Sequence, residues 1–220
     1  MDKQVEKALS AALQQFGGEA VSEFKGRINT VFNSESDFMD KVALLDEAFD
    51  DTPAFESLRE VFFDLLMINF FVEDVKKLEE DYLESEEWED IEEETLDRGT
   101  ELLNVLLYLR ECQDEDIEPE LEDFLKEFLL VDEDEFQDEH RIYEDMIANQ
   151  ILMESSVEEI ARVSKELPES SELKDLFYPV MAFFNQPDPS EEEMDAFRKN
   201  SSDASFEGSV YGLLTAFNQN

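Results

Sequence analysis

Val61-Phe62-Phe63-Asp64-Leu65-Leu66-Met67-Ile68-Asn69-Phe70-Phe71-Val72 is the most apolar run of the chain, and its reading decides the class of fold. Its apolar residues do not alternate as in a strand; they recur at three- and four-residue spacing, the period of an α-helix. Phe62, Leu65, Leu66 and Asn69 share one side with Phe55 and Leu58 upstream, while Val61, Phe63, Met67, Ile68, Phe70, Phe71 and Val72 cover the other sides. A helix that is apolar all round crosses a membrane or lies inside a core. This run is short of the roughly 20 residues a bilayer requires and contains Asp64 and Asn69, so the pattern predicts a buried helix ringed by neighbours. Thr52-Pro53 offers a cap residue followed by proline at the first helical position, which places the start there and extends the helix to about Leu83.

The neighbours read as helices too. Val5, Leu9, Ala12, Leu13 and Phe16 form a stripe that Gly17-Gly18 stops, and helices follow over Ala20 to Phe32 and Asp37 to Phe49. Beyond the central run, Ser85 can cap a second helix that begins with Trp88 and Ile91 and continues through Leu102 to Leu109 as another central element. Pro119 opens a helix with Leu121, Phe124, Leu125, Phe128 and Leu129; Asp132 or Asp134 opens one that carries Phe136, Tyr143, Met146, Ile151 and Leu152. Ser155 or Ser156 with Glu158 or Glu159, and Ser190 with Glu193, have capping-box spacing. A helix over Ser171 to Phe184, the turn Gln186-Pro187-Asp188-Pro189 and a last helix over Ser205 to Phe217 complete the chain, and Gly208 and Gly212 would let that last helix approach a neighbour closely. No repeat period emerges. The expected fold is an all-α, irregular bundle of about nine to eleven helices without a sheet, a single helical domain over 1–220 from which 186–220 can be set apart as a C-terminal helical appendage.

Composition narrows function. Among 220 residues there are 60 Asp plus Glu against 17 Lys plus Arg, a formal charge of −43, which sets a repulsive potential against nucleic acid and anionic membrane surfaces. With 42% apolar residues and 19 Phe, the chain is too hydrophobic to be an acidic disordered tail. Met1-Asp2-Lys3-Gln4-Val5-Glu6 lacks the basic start and apolar stretch of a signal peptide, so a cytoplasmic protein is expected.

The charge is not spread evenly. Between Glu73 and Asp145 there are 32 acids and 6 bases, so −26 of the −43 falls in one third of the chain, next to its most apolar helices. Three runs carry it: Glu84, Glu86, Glu87, Glu89, Asp90, Glu92, Glu93 and Glu94 around Trp88; Asp114, Glu115, Asp116, Glu118 and Glu120; and Asp132, Glu133, Asp134, Glu135, Asp138 and Glu139. Carboxylates three or four residues apart on a helix lie about 5 to 6 Å from one another, a scale comparable with the phosphates of nucleic acid. On a rigid core these residues would imitate a polyanion for a basic protein partner, a nuclease or DNA-binding protein. The bland alternative is a solvated surface that serves solubility, which leaves unexplained why so much self-repulsion is tolerated. Adaptation to high salt fits poorly, because Glu outnumbers Asp 38 to 22 and the charge is concentrated.

Catalytic and metal chemistry find little footing. His140 is the only histidine and has Gln137 three residues before it, so the paired Glu-x-x-His motif of di-metal bundles is missing. The runs at Asp114 and Asp132 lack the glycine of a calcium loop, and Cys112 has no basic cluster nearby. Trp88 is either an interface anchor or the start of an inward apolar face. The sequence therefore predicts a non-enzymatic interaction protein without cofactors that blocks a basic nucleic-acid-handling partner, as a nuclease-toxin immunity protein or DNA-mimic inhibitor does. The alternatives are a chaperone or assembly factor for a basic or hydrophobic client, and a helical scaffold whose charge serves only solubility.

Overall fold

A computed structural model describes residues 1–73, 80–129 and 136–219; side chains at 80–81, 127–129 and 136–140 lie outside the description. The helices are α1 (Lys3–Phe16), α2 (Val21–Phe32), α3 (Phe38–Asp50), α4 (Arg59–Glu73), α5 (Glu80–Leu83), α6 (Glu86–Thr95) and α7 (Leu102–Glu115) in the first half. The second half has α8 (Leu121–Leu129), α9 (Phe136–Ala148), α10 (Val157–Glu166), α11 (Lys174–Asn185), α12 (Glu191–Asn200) and α13 (Ala204–Asn218). Short 3-10 turns over Pro53–Leu58 and Gln150–Glu154 join them, and the described residues contain no strand. The fold is all-α, as the spacing of apolar residues requires.

α4 is the helix of the opening run, and every residue from Val61 to Asn69 is buried. It is enclosed by α1, α3, α7 and the preceding 3-10 turn. Aromatic rings fill the space on the α2 and α3 side: Phe24 stacks on Phe55 with centroids 4.3 Å apart and meets Phe49 edge-on at 5.0 Å. Each such ring, taken from water, stabilises the fold by about 1.5 to 3 kcal/mol. The second enclosed layer is not the expected helix around Leu102 to Leu109. α7 buries one face and leaves Leu103 and Leu107 half-buried, whereas α11 is buried continuously from Leu176 to Phe184 and α13 from Glu207 to Leu214. α13 packs along α1, so the two chain ends are joined; a Cβ on Gly212 would stand 2.6 Å from Gln15 Cγ, and Ser209 Oγ donates to the Ala12 carbonyl at 2.9 Å. The segment 186–220 thus contributes Met194, Phe197, Val210, Leu213, Leu214 and Phe217 to the same core cluster as α1 and α4.

Several boundaries differ from the sequence expectation. The helix expected from Thr52 begins as a 3-10 turn without a side-chain cap, becomes α-helical at Arg59, and has its described end at Glu73. The helix expected from Trp88 to Leu109 is two helices, because Gly99 takes a positive φ of 83° between them. There Asp64, on α4, accepts hydrogen bonds from the Thr100 N–H at 2.9 Å and the Thr100 hydroxyl at 2.5 Å. Ile151 and Leu152 belong to the 3-10 turn after α9. Of the two capping boxes, Ser190 with Glu193 forms both reciprocal bonds, while Ser156 makes no side-chain cap bond.

Candidate protein-binding surface

α6 concentrates the acidic residues of the first run on a helix with one anchored face. Ser85 Oγ accepts the Trp88 N–H at 3.2 Å and starts the helix, with Glu86, Glu87 and Glu89 beside its electropositive end. Trp88, Ile91 and Thr95 fall on one side at helical spacing; Ile91 and Thr95 are buried and Trp88 is half-buried, its ring 5.4 Å from Phe71 and 6.1 Å from Tyr82. The opposite side is entirely carboxylate. Glu86, Glu87, Glu89, Asp90, Glu92, Glu93 and Glu94 are all exposed, and none forms an ion pair within the described residues. Trp88 therefore fastens the acidic helix to α4, and apolar side chains are offered to solvent at both its ends, Leu83 before it at 46% exposed and Leu96 just beyond it at 79%. The exposure of Leu96 was hidden in the sequence by the missed break between α6 and α7.

The second run lies at the end of α7. Asp116 closes that helix in the left-handed region at φ 56°, and the Ile117 N–H returns to the Cys112 carbonyl at 2.9 Å. The following loop is tied down by Tyr108, whose hydroxyl donates to the Glu120 carbonyl at 3.1 Å and accepts the Glu120 N–H at 3.0 Å. Asp114, Glu115, Asp116, Glu118 and Glu120 are exposed, and among the described residues only Asp114 approaches a cation, Arg110 at 3.9 Å. In the third run, Asp132, Glu133, Asp134 and Glu135 lie outside the described residues; Asp138 and Glu139 are on α9 with side chains outside the description, and Glu84 is exposed in the turn before Ser85.

Two of the scarce arginines, Arg59 and Arg98, are held against α3 and α4. Arg59, 17% exposed, reaches Asp46 at 3.0 Å, Asp50 at 2.6 Å and Glu56 at 2.8 Å. Arg98 pairs with Asp46 and with Glu60, each at 3.0 Å, and lies over the Phe63 ring, while Glu60 also accepts the Gly99 N–H at 2.7 Å. Hydrogen bonding to Glu56 is the largest influence on Arg59 and raises its pKa. Burial pushes the Asp64 carboxyl well above its ordinary value, and the nearby charges of Glu60 and Glu101 add to the rise while the Thr100 hydrogen bonds oppose it. This network pins the α6–α7 loop to α3 and α4, and so sets the direction in which α6 leaves the core.

Beside that loop is a cleft of about 640 Å³, which Glu60 also lines. Gly99, Thr100 and Glu101 form one wall, the residues around Glu172 and Asp175 another, and Ser202 to Glu207 a third, over Val61, Ile142, Leu173, Leu176 and Phe206. No group of three or more His, Cys, Asp or Glu among the described residues is placed to hold a metal ion. No helix among them is long and apolar enough to cross a membrane. No family model, curated protein or solved structure matches the chain.

Proposed function

We propose that this chain is a non-enzymatic interaction protein whose α6 surface binds and blocks a basic, nucleic-acid-handling partner. One observation carries the reading: seven exposed carboxylates, without an ion pair among the described residues, on a ten-residue helix whose inward face is fixed by Trp88, Ile91 and Thr95. Ten helical residues rise about 15 Å, and the same length of duplex DNA carries about nine phosphates, so the two charge densities are alike. Because the helix is anchored, the charges are presented without the ordering cost a disordered acidic tail would incur on binding. Glu118 and Glu120, on the loop tied to Tyr108, add fixed charge of the same sign. Long-range attraction would accelerate encounter with a basic groove, and the carboxylates would then occupy the positions of phosphates.

The test is capture by the tagged protein from an extract at about 0.1 M salt, where the Debye length is about 10 Å, and at about 1 M, where it is about 3 Å. The expected result is recovery of basic proteins at the lower salt, their release by added duplex DNA, and their loss when Glu86, Glu87, Glu89, Asp90, Glu92 and Glu93 are replaced by Gln. Capture that survives this replacement refutes a polyanion-like surface on α6. A chaperone for a basic or hydrophobic client is the second reading, favoured by the partly apolar cleft beside the same loop. Under that reading the captured client remains active in DNA binding once released, and DNA does not displace it.

A further inference from the structure

The cleft beside the α6–α7 loop has a composition that the α6 surface does not. Its floor is apolar, with Ile142 and Phe206 half-buried and Leu173 and Leu176 beneath them. Its walls carry Glu60, Glu101, Glu172, Asp175, Asp203 and Glu207, and among the described residues no lysine or arginine lines it. Four of these carboxylates already have partners in the fold. Glu60 holds Arg98, Glu101 accepts the Tyr143 hydroxyl at 2.6 Å, Asp203 caps α13, and Glu207 accepts the Ser202 N–H at 2.9 Å. Glu207 is only 7% exposed, yet no cation pairs with it among the described residues. Glu172 and Asp175 are exposed and make no ion pair among the described residues.

A ligand for this cleft has to satisfy two conditions at once. Its positive charges must be separated, because the carboxylates stand on different walls and among the described residues no three converge on a point that could hold a metal ion. It must also bring apolar surface for the floor. A single small cation meets neither condition, and nucleic acid has the wrong charge. An extended peptide in which lysine or arginine alternates with an apolar residue meets both. Successive side chains of such a peptide point to opposite sides, and those on one side are spaced by about 6.6 Å. The long aliphatic stems of the basic residues add apolar contact. A volume of 640 Å³ lies within the roughly 300 to 1,000 Å³ of formed binding sites.

We propose that this cleft is a docking groove for an extended, basic and partly apolar segment of a protein partner. It rests on the reading of the partner as basic, and it adds a second contact that acts through apolar burial as well as charge. The groove adjoins α6 through the loop 96–101, which carries Leu96 on its α6 side and Gly99, Thr100 and Glu101 on the groove side. One partner can therefore meet both, with the salt-sensitive attraction on α6 and a salt-resistant part in the groove.

The probe is a short, fluorescein-labelled peptide of alternating Lys and Leu, followed by fluorescence anisotropy on the whole chain. Replacing the exposed pair Glu172→Gln and Asp175→Asn should weaken binding about tenfold, whereas the equal charge change Glu89→Gln and Glu93→Gln on α6 should alter it less than about threefold. A peptide with Ser in place of Leu should bind about tenfold more weakly, because the floor is left uncovered. Equal losses from the two charge-matched variants overturn the groove, as does equal binding of the Ser peptide. Displacement of the Lys-Leu peptide by spermine at the same concentration also overturns it and assigns the cleft to a small polyamine. Partner capture plays no part in this assay, so a failure of the α6 reading and a failure of the groove are told apart.

Discussion

Asp46, Glu60 and Asp64 hold the loop 96–101 and the carboxylates of α6 precede it, yet among the described residues only the first group is met by arginines or by the Thr100 donors. Asp46 and Glu60 take Arg98 and, in part, Arg59, and Asp64 takes both donors of Thr100. The seven acids of α6 take no cation among the described residues. Bases are rare in this chain, and in the described structure several are held where carboxylates approach the core. That is where an unpaired charge costs most, because the local dielectric is low. On α6, water screens the charges and the cost of leaving them unpaired is small. Arg59 and Arg98 thus mark carboxylates that build the fold, in contrast to the carboxylates that α6 offers to the surroundings.

The strongest way to break this contrast is to remove a cation from the first group. Arg98→Ala leaves Asp46 and Glu60 facing each other near buried Asp64. Glu60 is 37% exposed, so water screens part of the loss, and the expected destabilisation is about 2 kcal/mol. It should appear as a lower urea midpoint with an unchanged slope. The effects of Arg98→Ala and Arg59→Ala should be non-additive, since both side chains hold Asp46. A strictly additive pair would show that the two arginines act as separate surface pairs.

Acidification sharpens the same contrast from the other direction. Burial raises the Asp64 carboxyl above its ordinary value of 3.8, and burial raises Glu207 above its ordinary 4.5. Between the ordinary and the raised values the folded chain binds more protons than the unfolded chain, so unfolding free energy falls as pH rises through that window. Stability should therefore increase as pH is lowered through that window. Asp64→Asn keeps an acceptor for the Thr100 N–H and should flatten the part of the profile that Asp64 contributes. If the urea midpoint instead falls steadily as pH is lowered from neutral toward those ordinary values, the buried carboxylates are not the groups that govern it.

The order of helices was legible from spacing alone, because apolar residues at three- and four-residue intervals report which faces turn inward whatever they pack against. Enclosure was harder to read. Leu102 to Leu109 and Leu176 to Phe184 look equally apolar in sequence, but only the second is covered on all sides, and coverage depends on partners far along the chain. The break before Leu102 had a local signal in Gly99, whose positive φ ends the helix; what fixes it is Asp64, 36 residues from Thr100 and on α4. The acidic face of α6 was legible for the opposite reason: exposed charge needs no partner to be recognised. The cleft was not, since Glu101, Glu172 and Glu207 come together only when α7, α11 and α13 are in place.

A smaller effect distinguishes the two described acidic runs. α6 ends in Thr95 and Leu96 with ordinary backbone, whereas α7 ends in Asp116 at φ 56°, where a side chain other than glycine is strained by roughly 1 kcal/mol or more. Asp116→Gly should stabilise the chain by about 1 kcal/mol, read from thermal unfolding, and leave the Tyr108 tie to Glu120 in place. A loss of stability would mean that the Asp116 carboxylate makes a favourable contact that outweighs its backbone strain.

The smallest expected change belongs to the surface with the most charge. Replacing the six acids Glu86, Glu87, Glu89, Asp90, Glu92 and Glu93 by Gln removes like-charge neighbours at three- and four-residue spacing, a gain of roughly 0.2 to 0.5 kcal/mol for each such pair. It also removes Glu86, Glu87 and Glu89 from the electropositive start of the helix, a loss of roughly 0.3 to 1 kcal/mol for each. The two nearly cancel, and the anchoring face of Trp88, Ile91 and Thr95 is untouched. Stability at low salt should therefore change by less than about 1 kcal/mol, and its dependence on salt should become weaker than in the parent chain. A destabilisation of several kcal/mol would show that these carboxylates are held by the fold, and the contrast with Asp46, Glu60 and Asp64 would fail. A near-neutral result makes any loss of partner capture in the same variant a property of the surface rather than of folding.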